Sequence, residues 1–503
     1  MTHSISCQAL FLVSLAVILI CEGRYLRGQA CVNCRSSHEE IVRQLWDATS
    51  VRDLARGLAD IAANALLVND GPVRTPDSER ITAGILRRGH GKTDFARLVR
   101  KIQETSLHLS HPRFAAQQVA APIPAAALVE SVAAALNQSL AVWEMSPIAT
   151  AIDRNLMSSF KRLFGYGKAA EGSLVPGGAF ANLTALLAAR DALERRASKN
   201  GRARIAVIVG EQAHYSIARA AAILGLDRNA VFKAPLDSEF RTDVARIDEL
   251  FAAARKAGYR KFILVGSSGS TPTGSFDDLD TLRKIATKYG AWFHIDAAHG
   301  AGLAFSQKYR KRLKGLAAAD SIIFDPHKMM FMPLSAGGVL VRSGKHLLRP
   351  LREQAPYLFG SKRRWPDIGQ LTISCSQRFD ALKVWLMWRV YGAEVWDGLT
   401  THVCEVAHAA YQYCLASSIL EPVHEPQSNI FCFRLRARRG PDSDRQHWDI
   451  KEELNESGYA YISSTVLNRR RVLRMVVMNP RTTADDMQAI LKRIEQIATQ
   501  FES

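Results

Sequence analysis

Trp292-Phe293-His294-Ile295-Asp296-Ala297-Ala298-His299-Gly300 reads as a short buried strand that ends in a carboxylate and runs straight into small residues. An unpaired buried charge is costly, so an Asp in that position needs a cationic partner. Around this stretch, between residues 170 and 345, apolar runs alternate with amphipathic ones. The runs at 205–209, 230–232, 262–265, 292–295, 322–324 and 338–341 read as strands, and 216–224, 247–257 and 276–289 as the helices between them. This alternation predicts an α/β domain with a mostly parallel sheet covered by helices on both faces. Ligands on such sheets sit beyond the carboxyl ends of the strands, so the residues just after each run are the candidates for chemistry.

Four more of these places hold suitable groups. Gly177-Gly178-Ala179 stands directly before a helix, where bare N–H groups and the helix dipole favour an anion such as phosphate, although a plain glycine turn reads the same way. Gln212-Ala213-His214 follows the strand at 205–209, and the imidazole is either an ordinary surface or core histidine or a ring that stacks on an aromatic ligand. Gly269-Ser270-Thr271 brings hydroxyls to the same rim. Asp325-Pro326-His327-Lys328 places a lysine just past a strand, with Pro fixing the turn.

A phosphate cradle, a stacking histidine, a buried carboxylate and a lysine in one mouth suit pyridoxal 5'-phosphate (PLP), whose aldehyde bonds to a lysine and whose ring nitrogen is held protonated by an acid. With 31 residues between Asp296 and Lys328, the HxDAAxG and DPHK elements together are far more specific than either alone. On these residues the chain resembles the group II PLP-dependent amino-acid decarboxylases. The glutamate/cysteine-sulfinate decarboxylase branch is the most similar, through His111-Pro112-Arg113-Phe114, Pro176-Gly177-Gly178-Ala179 with Asn182, His214-Tyr215-Ser216, Leu473-Arg474-Met475 and Asn479-Pro480. The resemblance runs from about His111 to the C-terminus. It implies the aspartate-aminotransferase-like fold (fold type I), with a helical N-terminal arm, a large PLP domain and a small α+β C-terminal domain. It also implies a homodimer.

Carried over by position, the resemblance makes Lys328 the Schiff-base lysine, Asp296 the partner of the pyridine nitrogen, His214 the stacking ring and Ala298 the small residue on the opposite face. Gly178, Ala179 and His327 would lie near the phosphate, with Ser270 or Thr271 supporting that side. Gln117 and Arg474 stand where the branch binds the substrate, and a guanidinium suits a carboxylate. A surface arginine beside Arg469, Arg470 and Arg471 is the plain alternative for Arg474. The expected reaction is decarboxylation of an L-amino acid to its amine and CO2, with an acidic substrate (glutamate, aspartate or cysteine sulfinate) preferred. Two departures stand out. Pro366 occupies the place of the loop tyrosine that in the family helps reprotonate the substrate carbon, and Gln377 replaces a common basic residue, with Arg378 next to it. The first keeps open an aldehyde-forming oxidative deamination, or delivery of the proton by His327 or a nearby residue as a catalytic group; a diamino or aromatic substrate is the other alternative.

The chain has 503 residues, a net charge of +18, 47% hydrophobic and 23% charged residues, values that exclude a disordered or low-complexity protein. Clusters at 308–314, 362–364, 434–439 and 468–471 carry much of the basic surplus, but they are scattered and match no nucleic-acid module, so a non-catalytic nucleic-acid or membrane-binding protein is the remote reading. Eight cysteines are too few for a disulfide scaffold, and Cys31-Val32-Asn33-Cys34 lacks a second pair for zinc, so no metal is expected. Gly91-Lys92-Thr93 is not a P-loop, since Leu86 stands where its first glycine is needed. The apolar run at 9–21 is 13 residues, short of the roughly 20 that span a bilayer. These features give residues 1–34 as a leader or misassigned start, 35–108 as a helical segment, 109–385 as the large domain and 386–503 as the small one. A cytoplasmic enzyme without stable membrane insertion is expected.

Overall fold

Residues of the run at 205–209 point alternately to two dry faces: Ala206 and Ile208 join one apolar cluster, and Ile205, Val207 and Val209 join another. A strand buried on both sides belongs inside a sheet sandwiched by helices. The structure is a computed structural model and describes residues 47–74, 95–194, 204–353, 355, 359, 367–436 and 441–500. The apolar run at 9–21, the four N-terminal cysteines, the Gly91-Lys92-Thr93 stretch and Pro366 lie outside them.

The chain divides into two units, Met1–Ala65 with Thr75–Ser106, and Leu66–Arg74 with Leu107–Ser503. In the first, the described residues form helices α1 (Ala48–Leu66) and α2 (Phe95–Thr105). The second opens with β1 (Phe114–Ala115), α3 (Pro124–Leu136), α4 (Pro147–Leu163), β2 (Glu171–Val175) and α5 (Gly178–Glu194). Then come β3 (Ile205–Gly210), α6 (Ser216–Ile223), β4 (Val231–Ala234), α7 (Ile247–Lys256), β5 (Lys261–Ser267), α8 (Leu279–Tyr289), β6 (Trp292–Asp296), β7 (Ser321–Phe324) and β8 (Gly337–Val341). It closes with α9 (Lys345–Leu351), α10 (Ala381–Tyr391), α11 (Glu394–Ala416), β9 (Leu420–Pro422), β10 (Ile430–Leu435), α12 (Pro441–Glu456), β11 (Tyr461–Leu467), β12 (Arg470–Val476) and α13 (Ala484–Gln500).

The large sheet has the order β2-β8-β7-β6-β5-β3-β4, and only β8 runs against the rest. The five adjacent parallel strands β7, β6, β5, β3 and β4 therefore end on one edge, with Ser267 paired to Asp296 and Asp296 to Ile323. Helix α5 lies close on the sheet because the residues it buries are small: Ala181, Ala185, Ala188, Ala189 and Ala192. The opposite face is filled by Phe160, Phe293 and Phe324 among others, each buried aromatic contributing roughly 1.5–3 kcal/mol. The smaller sheet, β1-β11-β12-β10-β9, is antiparallel except for the β1–β11 pair.

Three details differ from the sequence reading. The helix expected from residue 276 starts at Leu279, because Phe276 pairs with Ser268 in an isolated bridge and Asp278 caps the helix by accepting Thr281 N–H. The sequence after about Leu382 reads as one long helix, whereas the structure has two, separated at Gly392, whose φ of 73° ends the first. The edge strand β2 carries no alternating apolar pattern and was not predicted. The sequence puts Thr482, Thr483, Asp485 and Asp486 before the apolar positions of a closing helix as an N-terminal signal, and the cap is there: Thr483 N–H donates to Asp486, and Asp486 N–H to Thr483 Oγ1.

Candidate functional site

A cavity of about 400 Å³ opens where the parallel strands end. Each wall is the continuation of one strand or the start of one helix: Gln212 and His214 after β3, Ser270 and Thr271 after β5, Asp296 and Ala298 at β6, His327 and Lys328 after β7, and Gly178 and Ala179 at the start of α5. The cavity thus gathers eight residues singled out from the sequence, Gly178, Ala179, His214, Thr271, Asp296, Ala298, His327 and Lys328. Gln117 and Arg474 do not line it. Gln117 is exposed, and Arg474 is buried behind the wall.

The floor is a chain of hydrogen bonds whose protons can be ordered. Trp292 Nε1–H donates to Ser321 Oγ at 2.9 Å, so the Ser321 hydroxyl hydrogen goes to His294 Nδ1 at 2.8 Å. His294 then donates from Nε2 to Asn182 Oδ1 at 2.9 Å. The two Asn182 amide hydrogens go to Asp296 Oδ2 at 2.8 Å and Ser216 Oγ at 2.9 Å. Ser216 in turn donates to His214 Nδ1 at 2.7 Å, which leaves the His214 proton on Nε2. Burial holds both histidines below the ordinary imidazole range, so both rings are neutral near pH 7, while Asp296 opposes the shift in each. One asparagine therefore aims both the carboxylate and the ring. In the sequence Asn182 stands out only as part of a motif, and His294 is not among the candidate residues. Yet His294 stands two residues before Asp296, on the same face of the strand, which is a legible signal.

The other end of the cavity is built of backbone. A Cβ on Gly178 would lie 2.8 Å from Asp325 Oδ2 and 3.2 Å from the Ala298 methyl, so the first turn of the 17-residue helix α5 meets the sheet at a distance only glycine allows. His327 turns its Nδ1 to Ala336 O at 2.6 Å and its Nε2 toward Asp325 Oδ2 at 3.6 Å. Burial lowers its pKa, and the Asp325 carboxylate partly opposes this. Lys328 Nζ lies 3.5 Å from the same Asp325 oxygen.

At the side of Thr271, Ser270 is tied to Thr273 and Ser275 by hydroxyl bonds of 2.9 Å each. Behind them Arg474 clamps the loop: Nε–H donates to Pro272 O at 3.0 Å, Nη2 to Thr271 O at 2.7 Å, and Nη1 to Ala116 O and Ser463 Oγ, both at 3.1 Å. The alternative of a surface arginine is excluded, since Arg474 is 5% exposed. Burial lowers its pKa, and no carboxylate pairs with it among the described residues. His299, also on the cavity wall, donates to Asn429 Oδ1 at 2.7 Å, and burial pushes its pKa down to about 3.

Comparison with known proteins agrees with this geometry. The pyridoxal-dependent decarboxylase conserved domain matches residues 95–436. The chain is 31% identical over 413 residues to L-2,4-diaminobutyrate decarboxylase of Rhizobium meliloti (strain 1021), covering 81% of this chain and 82% of that protein. It is 30% identical over 423 residues to acidic amino acid decarboxylase GADL1 of Xenopus tropicalis, covering 80% and 82%. Among solved structures, Oryza sativa TDC with PLP and tryptamine superposes with a TM-score of 0.80 at 22% identity, over 93% of this chain and 99% of that one.

Proposed function

Because this chain belongs to the pyridoxal-dependent decarboxylase family, a PLP carboxy-lyase family, we propose that it converts an acidic L-amino acid, such as glutamate, aspartate or cysteine sulfinate, to its amine and CO2. The observation that carries this reading is the convergence of Lys328, Asp296 and His214 on one cavity at the ends of three parallel strands.

The donor set fits PLP. The glycine-only approach at Gly178 leaves the α5 N-terminus bare for a phosphate, and Asp296 keeps lone pairs beyond its bonds to Asn182 and to Ala298 N–H. Lys328 would bond the cofactor aldehyde, Asp296 would face the pyridine nitrogen, and His214 and Ala298 would hold the two ring faces. Gly178, Ala179, His327 and Thr271 would hold the phosphate side. When bound, PLP supplies an electron-withdrawing ring that takes up the electron pair left as CO2 departs. The chain's own part is to aim these groups: Asn182 orients Asp296 and, through Ser216, the His214 ring.

Preference for an acid is supported by Arg474. It is a buried cation without a carboxylate partner among the described residues, one residue layer behind Thr271, and its positive potential favours an anionic substrate at that wall. Leu128, Val132 and Leu136 form an apolar row on one face of α3, 45, 49 and 52% exposed, which supports a homodimer. A cytoplasmic location belongs to the same reading; among the described residues no helix is long and apolar enough to cross a membrane.

The test is a panel of acidic, diamino and aromatic L-amino acids with the PLP-loaded protein, scored together for amine, aldehyde, hydrogen peroxide and CO2. Amine and CO2 from acidic substrates at the highest kcat/KM are expected. Turnover of only diamino or aromatic substrates removes the acid preference, and aldehyde with peroxide in place of amine replaces the outcome.

A further inference from the structure

Asp325 has no role in the scheme above, yet it is the most enclosed charged group beside the cavity. Its side chain is 2% exposed. Both oxygens press on backbone: a Cβ on Gly178 would lie 2.8 Å from Oδ2, and one on Gly337 2.8 Å from Oδ1. Oδ2 faces Lys328 Nζ at 3.5 Å and His327 Nε2 at 3.6 Å, and Oδ1 has no hydrogen-bond partner among the described residues. A turn fixes the pairing, since Lys328 N–H donates to Asp325 O at 2.9 Å and folds the lysine back over the carboxylate. Asp296, the other carboxylate of the cavity, is different. It receives two hydrogen bonds, from Asn182 and Ala298.

A buried carboxylate this poorly bonded persists only opposite a cation, and the Lys328 ammonium is the one at hand. The remaining groups that face the pair do not replace it. His327 turns Nδ1 to Ala336 O, His214 and His299 are held neutral by burial, and Asp296 is a like charge. We propose that Asp325 is the proton partner of Lys328: a counter-ion to its ammonium in the cofactor-free chain, and the acceptor of that proton when Lys328 becomes a nucleophile. Burial pushes the Asp325 carboxyl above the ordinary carboxylate range, with Lys328 and His327 pulling it back, as a group that takes up a proton requires.

The step balances. The ammonium would pass H⁺ to the Asp325 carboxylate, leaving a neutral amine to bond the cofactor aldehyde; as C=N replaced C=O, the carbonyl oxygen would leave as water with the two amine hydrogens. The proton on Asp325 is then available to return to that nitrogen. Asp325 acts through Lys328 and is a positioning residue. The inference rests on Lys328 being the cofactor-binding lysine, but it is tested without cofactor.

The experiment is competitive amine labelling of the cofactor-free chain across pH, read by peptide mass spectrometry at Lys328, with the exposed Lys256 as internal reference. An opposite charge this close shifts an ionisable group by about one to three pH units. In Asp325→Asn the ammonium loses its counter-ion, so the labelling midpoint of Lys328 should fall by at least about one pH unit, with Lys256 unmoved. A midpoint within a few tenths of the wild-type value in a folded Asp325→Asn protein overturns the proposal. Should that variant not fold, the wild-type chain still decides. A half-buried lysine on a cavity wall without a counter-ion titrates below an exposed one, so a Lys328 midpoint well below that of Lys256 overturns the proposal, and one at or above it supports it. Borohydride trapping of PLP on Lys328 is a separate readout, so failure of the pairing and failure of the cofactor assignment are told apart.

Discussion

Asn182→Leu should separate the aiming of the site from the stability of the fold. Leucine is close in reach to asparagine but cannot hydrogen-bond. The substitution leaves His294 Nε2–H without its acceptor and Asp296 Oδ2 without its donor, contacts of 2.9 and 2.8 Å in a region where Asn182 is 1% exposed. A buried unsatisfied N–H costs about 1–3 kcal/mol, and a hydrogen bond to a charged group is worth about 1.5–3 kcal/mol. Together they give a loss of roughly 2.5–6 kcal/mol, a large part of the ~5–15 kcal/mol typical of folded proteins. The Asp296 share alone, at about 1.4 kcal/mol per factor of ten, corresponds to ~10–100-fold weaker PLP binding. Denaturant unfolding of the cofactor-free chain reads the first quantity, and titration with PLP followed by visible absorbance reads the second. Ser321→Ala is the control. It removes the far end of the same chain, at His294 Nδ1 and Trp292 Nε1, without touching Asp296. It should destabilise by about 1–3 kcal/mol and leave PLP affinity within about threefold. If Asn182→Leu binds PLP as tightly as the wild type, or Ser321→Ala weakens binding equally, Asn182 does not aim Asp296.

Gly178→Ala should weaken PLP binding and destabilise by about 1–3 kcal/mol, because the new methyl meets Asp325 and Ala298 at 2.8 and 3.2 Å; in contrast, Gly398→Ala, exposed in α11 with nothing within 4 Å, should stabilise by about 1 kcal/mol in the same unfolding assay. Acid should unfold the protein partly through His299. Its folded pKa of about 3 lies below the ordinary 6.5, so its neutral form contributes stability that is complete above pH 6.5 and lost as pH falls toward 3. His299→Gln should therefore flatten the fall of stability with acid by about 1.4 kcal/mol per pH unit relative to wild type. The buried Asp153, pushed up to about 6, acts in the opposite sense in both proteins and cancels from that difference.

Most of the cofactor wall was legible because two local rules agree there. Buried parallel strands show as apolar runs, and the residues after them reach the ligand edge, which is how Asp296, His214 and Lys328 were found from the residues themselves. Groups whose meaning depends on distant partners were not legible. Asn182 meets Asp296 across 114 positions, and Arg474 reaches Thr271 across 203, so neither spacing nor periodicity announces them. Asp325 opens its motif without a mark of its own, since its importance comes from the glycines that enclose it. Three residues of the basic clusters are locally paired, Lys308 with Glu405, Lys314 with Asp280, and Arg434 with Glu421, so those clusters are less bare than their sequence suggests. Exposed pairs of this kind contribute little to stability.

The central claim is that PLP binds covalently to Lys328 in the cavity at the strand ends. Borohydride reduction of the PLP-loaded protein, followed by peptide mapping, tests it most directly. A pyridoxyl group on the Lys328 peptide, absent from a folded Lys328→Ala protein, is the expected result; a stoichiometric label on another lysine, or one that persists in Lys328→Ala, would contradict it.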